Sequence, residues 1–228
     1  MNKFTIGILS LTLFLAACED PAANKPRAET TATSTNTASN STVNTTANPA
    51  VSTTPSTMEV KGTVLPISPE NSKVEFTGSK VTGKHDGGFK TFKGTIDLVN
   101  NKPEESRVSV DIDTNSIFSD DEKLTGHLKS ADFFDVAKFS TANFTSTNIT
   151  PDAAKGAGIY MVMGDFNLHG QKKSITFPAK ITVSDAEAAV DAEFSINRKD
   201  FGIVYAGKTD DLIRDDVVIR LNLKSPRK

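Results

Sequence analysis

The chain reads as an all-β protein of antiparallel strands, and three observations carry that reading. From Ser72 onward, apolar and polar residues alternate with a period of two, the pattern of strands that turn one face to a core. Clusters of Gly, Asn, Pro and Ser separate the alternating runs, and such clusters mark turns. No amphipathic run is long enough to supply the helical crossovers that parallel strands require.

The elements follow in order. Val74 and Phe76 share one parity; Phe92, Ile96 and Leu98 share the next, and Val108, Val110 and Ile112 the one after. A less regular strand is expected around Phe139 to Ile149. Tyr160, Val162, Phe166 and Leu168 form a further set, followed by Ile175, Phe177, Ala179, Ile181 and Val183. Val190, Ala192, Phe194 and Ile196, then Val217, Ile219, Leu221 and Leu223, complete a series of about eight strands. Turns are expected at Gly83 to Gly88, Asn100 to Pro103, Gly156 to Gly158, Gly170 to Lys172 and Ser184-Asp185. One short helix is expected after Ser119, where Ser119 and Glu122 have the spacing of a capping box and Leu124 and Leu128 share a face. Ser130 to Asp135 adds a further turn, with Phe133 and Phe134 packing inward. Periodicity alone leaves a closed barrel and a two-sheet sandwich equally open.

Five segments in order decide for the barrel. Phe92-Lys93-Gly94-Thr95-Ile96, Gly126 to Asp135, Phe139 with Phe144 to Ile149, Gly164 to Lys173, and Ser195 to Ile203 followed by Asp216 to Ile219 together resemble the YceI family. The resemblance covers roughly Thr63 to Lys224. It implies an eight-stranded, antiparallel, lipocalin-like barrel with one or two short helices and an apolar tunnel. It also implies a polyisoprenoid ligand, a polyprenyl phosphate or an isoprenoid quinone, in place of a cofactor. The chain departs from the family pattern in having no Trp and in carrying an N-terminal anchor signal and a long tether.

The inward parity sets give the expected lining: Phe76, Val110, Ile112, Phe144, Phe166, Phe177, Phe194, Ile196, Ile219 and Leu221. Fourteen Phe against two Tyr make a wall with few polar handles, suited to hydrocarbon. The same residues would equally fill a solid core. Arg198 shares parity with Phe194 and Ile196 and should point inward, where a buried guanidinium needs a partner such as Asp200 or another acidic rim residue. Arg198 and Asp200 are therefore expected either to close one barrel end or to meet a lipid head group.

The N-terminus carries its own signal. Lys3, an apolar run from Phe4 to Ala17, and small residues before Cys18 have the layout of a secretory signal. Leu15-Ala16-Ala17-Cys18 resembles the lipobox of bacterial lipoproteins, which implies that residues 1–17 are removed and Cys18 is acylated. Two or more acyl chains anchor stably. Residues 18–62, rich in Thr, Ser, Asn, Ala and Pro, are expected to form a disordered tether, with residues 63–228 as the barrel domain. About forty-four flexible residues would have an r.m.s. span on the order of 35 Å.

Several function classes lack support. The formal net charge is −2, without a basic stripe, which argues against nucleic acid as a partner. His85, His127 and His169 match no zinc spacing, so no metal site is expected. No nucleophile elbow or catalytic constellation stands out, so no enzyme is expected. The leading expectation is a lipid carrier or reservoir at a bacterial membrane, with its domain in the periplasm. An envelope-stress or interaction lipoprotein with a solid barrel is the alternative, and a homodimer stays open.

Overall fold

The computed structural model describes residues 19–32 and 62–227. Its strands are β1 (Glu29–Ala32), β2 (Thr63–Ile67), β3 (Lys73–Lys80), β4 (Gly83–Phe89), β5 (Phe92–Leu98), β6 (Arg107–Asp113), β7 (Ile117–Ser119), β8 (Thr141–Pro151), β9 (Ile159–Leu168), β10 (Gln171–Val183), β11 (Glu187–Asn197), β12 (Gly207–Lys208), β13 (Asp211–Leu212) and β14 (Asp216–Pro226), with one α-helix, α1 (Glu122–Leu128), between β7 and β8. Eleven strands follow one another as β2-β5-β6-β8-β9-β10-β11-β14-β3-β4-β7, and β1 adds to β10, giving a twelve-stranded sheet. Neighbouring strands on this path are antiparallel.

The sheet curls until its far parts meet. Ser225 donates its hydroxyl to the Pro66 carbonyl at 2.6 Å, which brings β2 against β14. At the opposite end, Lys90 N–H donates to Ser116 O at 3.2 Å and Asp113 N–H to Thr91 O at 3.1 Å. The lipocalin-like barrel is thus present, with more strands than the eight expected. The additional strands lack the alternation that reveals a strand in a sequence. β2 is short and carries Pro66, β7 has three residues, and β4 runs through Lys84-His85-Asp86-Gly87-Gly88.

β4 corrects the turn expected at Gly83 to Gly88. Its backbone pairs with β3 on one side and β7 on the other. A Cβ on Gly87 would collide with the Phe118 carbonyl and the Phe76 ring, so glycine here serves close packing rather than a turn.

β8 explains its own irregular pattern. The pairing with β9 shifts register between Ser146 and Asn148, a one-residue bulge that moves the inward parity from Phe144 to Ile149. Phe139 lies before the strand, its ring 4.6 Å from that of His169. The helix begins as expected but with another cap: Asp121 accepts from Leu124 N–H at 2.8 Å. Ser119 instead donates its hydroxyl to the Asp121 carbonyl at 2.7 Å. Ser130 to Asp135 turns as anticipated, with Phe133 buried.

The first part of the expected tether is built into the wall. β10 pairs with β11 only from Lys180 to Val183, opposite Ala188–Asp191; below that level the two strands separate. Into the seam comes the N-terminal segment: Glu29–Ala32 pair antiparallel with Lys173–Thr176 of β10. On the other side Ala28 N–H donates to Ser195 O, and Ser195 N–H donates to Pro26 O, both at 2.8 Å. A composition of Thr, Ala and Pro gives little apolar surface to bury, but unpaired strand edges supply the hydrogen bonds instead. Residues 33–61 lie outside the described residues.

Candidate functional site

Inside the curled sheet runs an apolar cavity of about 190 Å³. All ten residues expected to line it do so: Phe76, Val110, Ile112, Phe144, Phe166, Phe177, Phe194, Ile196, Ile219 and Leu221. The reason is the period of two, which sends alternate side chains of β3, β6, β8, β9, β10, β11 and β14 to one face. Among the lining residues, Glu75, Gly78 and Arg198 are the ones without an apolar side chain. Phe144, Phe166, Ile219 and Leu221 point inward yet are half-buried, because they border open space rather than packed atoms.

The aromatic side chains set the channel's shape. Phe177 and Phe194 stack with centroids 4.1 Å apart, and Phe144 leans on Phe177 at 5.6 Å. Phe166 meets Phe201 edge-on at 5.2 Å near the Arg198 end. Gly164 leaves room for Phe144, since a Cβ there would strike that ring and the Thr145 carbonyl.

Further lining comes from elements other than these strands. Leu128, Phe133, Phe134 and Phe89 close over the cavity from α1, the turn after it and β4. Phe89 meets Phe76 at 6.2 Å and Phe134 at 5.9 Å. Their inward packing was partly legible in the Leu124/Leu128 spacing and the Phe133-Phe134 pair, but β4 offers no alternation from which Phe89 could be assigned.

Arg198 occupies the end of the channel. It begins a 3-10 turn, Arg198–Phe201, and is 4% exposed. Its Nη1 donates to Ile203 O at 2.7 Å, Nε to Arg214 O at 3.0 Å and Nη2 to Ile213 O at 3.3 Å. Asp215 stands 3.4 Å from Nη2. Burial pushes the guanidinium pKa down from its usual value, and the Asp215 charge opposes the shift. Arginine nonetheless keeps its proton in proteins. The carbonyl contacts tie the 3-10 turn to the segment 213–215.

Asp200 is not its partner. The 3-10 turn leaves Asp200 exposed, and the carboxylate comes from Asp215 because Ile213 to Asp215 return beside the turn just before β14. No spacing rule in the sequence predicts that return.

The histidines take local roles. His85 pairs with Asp120 and His127 with Asp132, each at 2.8 Å. His169 sits at φ 52° in the β9–β10 turn, its Nδ1 3.2 Å from Phe201 O. Cys18 lies outside the described residues.

Comparison with known proteins agrees with this architecture. A UPF0312 protein of Pseudomonas putida is 34% identical over 139 residues, spanning 58% of this chain and 71% of the relative. A UPF0312 protein of Vibrio vulnificus is 43% identical over 94 residues, spanning 41% and 48%. Among solved structures, BcnA of Burkholderia cenocepacia superposes with a TM-score of 0.64 at 22% identity, over 70% of this chain and 99% of that one. A polyisoprenoid binding domain from Saccharophagus degradans, implicated in plant cell wall breakdown, gives 0.57 at 18% identity, over 73% and 100%. These likenesses in structure establish the fold. Residues 66–225 match the YceI-like domain, and the chain belongs to the YceI-like family.

Proposed function

We propose that this protein binds a polyisoprenoid lipid in its barrel and holds or carries it at a bacterial membrane, to which acylated Cys18 attaches it, with the domain in the periplasm. The observation that carries the reading is the apolar cavity, whose wall is hydrocarbon and aromatic along the strands and meets a charged group at Arg198. Each methylene moved from water into such a sleeve contributes about 0.8 kcal/mol, so a long prenyl chain gains more than a compact ligand. The polyisoprenoid-binding neighbour from Saccharophagus degradans and the YceI-like domain itself support a lipid-binding role. The role is binding, without a chemical step. Arg198 spends its donors on three carbonyls and Asp215, which favours barrel closure over capture of a head group.

The test is organic extraction of residues 19–228 purified from a bacterial host, followed by mass spectrometry. A prenyl phosphate or isoprenoid quinone in stoichiometric amount is the expected result. Extracts without prenyl lipid, and no uptake from prenyl-containing vesicles, would favour a solid-core interaction lipoprotein instead.

A further inference from the structure

A forty-four-residue leash would let the barrel rotate freely above a bilayer. The segment next to Cys18 does something else. Glu19 is its chain neighbour, and by Asp20 the backbone is already attached to the domain, with Asp20 3.4 Å from Arg214. Lys25 pairs with Glu193 at 2.6 Å and Arg27 with Asp216 at 3.2 Å. Glu193 and Asp216 belong to the outward parity of β11 and β14. Between them lie Ser195 and Val218, also outward and paired with each other, yet 2% and 1% exposed. The segment thus runs along the outside of the wall and then enters the β10–β11 seam through Pro26, Ala28 and β1.

The place where it starts is distinctive. Asp20 and Leu212 line one polar depression together with Arg198 and Arg214. Leu212 is 48% exposed, and its carbonyl accepts from the N–H of Val81, which is 54% exposed. Val204, 63% exposed, lies in the same group of loops, two residues before Ala206, whose carbonyl accepts from Ile213. Three of the five large apolar side chains exposed among the described residues therefore gather where the chain enters from Cys18.

We infer that residues 19–32 are a strap that holds the Arg198 end of the barrel against the bilayer, with Val81 and Leu212 touching the lipid surface. The inference rests on the reading of Cys18 as the acylated anchor. One or two residues reach no more than about 7 Å, so an acyl chain on Cys18 leaves the strapped end little freedom to leave the interface. The occupant of the exposed apolar tip is the lipid surface, because the chain's own anchor brings it there.

The experiment uses the full acylated chain in phosphatidylcholine vesicles containing spin-labelled lipid. A fluorophore is placed on Leu212→Cys or, at the opposite barrel end, on Asp185→Cys. Quenching several-fold stronger at position 212 than at 185 is expected. In a second chain, a Gly/Ser spacer of about twenty residues, with an r.m.s. span on the order of 25 Å, separates Cys18 from Glu19 and leaves every strap contact in place. There the difference between the two positions should collapse. Equal quenching in the parent chain, or a difference that survives the spacer, overturns the strap's role. An N-terminal peptide whose mass lacks acyl groups overturns the Cys18 reading itself and the membrane role with it, while leaving the barrel's lipid binding to the extraction test.

Discussion

Phe177 and Phe194 stack face to face, 4.1 Å between centroids and 11° between planes, across the level where β10 and β11 stop sharing hydrogen bonds. Continuing the register of Lys180 with Asp191 would pair these two residues directly. The rings keep the inner wall continuous while the backbones part and admit the N-terminal segment behind them.

Replacing Phe194 with Ala should therefore cost more than an ordinary cavity. Truncating a buried Phe costs about 3–5 kcal/mol, and here the loss also exposes the seam. Urea denaturation should report a destabilisation in that range, with faster amide exchange at Ala28 and Ser195.

Filling the channel should act on binding rather than on folding. Ile219 borders open space inside the barrel, so Ile219→Trp can extend into the cavity without displacing the wall. The recovered prenyl lipid should fall several-fold while the circular dichroism spectrum and thermal midpoint stay close to those of the parent.

Arg198→Met leaves three carbonyls without the side-chain donor they share, while Asp215 keeps Lys199 at 3.0 Å. Leaving buried acceptors unsatisfied costs about 1–3 kcal/mol, and a shift of about 2–4 °C per kcal/mol makes the loss visible in a thermal scan. Arg198→Lys keeps the charge but cannot span the three carbonyls, so it should also lower the midpoint. A midpoint unchanged in both, with weaker binding of a prenyl phosphate, would assign Arg198 to the head group.

Acid should weaken one outer contact in a defined direction. The Thr77 hydroxyl foremost, and Arg220 beside it, hold the Asp86 carboxyl below its usual pKa; Arg220 Nη1 also donates to Thr77 Oγ1 at 2.7 Å. A pKa lowered in the folded state gives stability that is complete above the unfolded value of about 3.9 and disappears as pH falls through the folded value. Asp86→Asn should lose stability at neutral pH and show a shallower decline of urea midpoint below pH 4. Because Asp86 is largely exposed, the effect should also shrink in high salt.

Cys18→Ser should move the protein from the membrane fraction to the soluble fraction, read by fractionation and immunoblot. Retention of the variant in the membrane would show that acylation is not what holds it.

The lining and the strands that carry it were legible because alternation is a local property: a residue's parity is fixed by its neighbours, and ten side chains named from parity face one cavity. Where alternation stops, legibility stops too. Thr147 sits at the bulge that breaks parity within β8, and β4 hides behind glycines needed for the approach of Phe76 and Phe118. Asp215 replaces Asp200 beside Arg198 because chain segments fifteen or more residues apart meet only after the barrel closes.

The sequence by itself determined the all-β class, the apolar face of each long strand and the family resemblance, since these reside in period, composition and ordered local motifs. Only the tertiary structure decided that residues 26–32 belong to the wall. Their side chains bury little apolar surface, and what recruits them is a pair of backbone edges on β10 and β11 that do not exist until the sheet has curled.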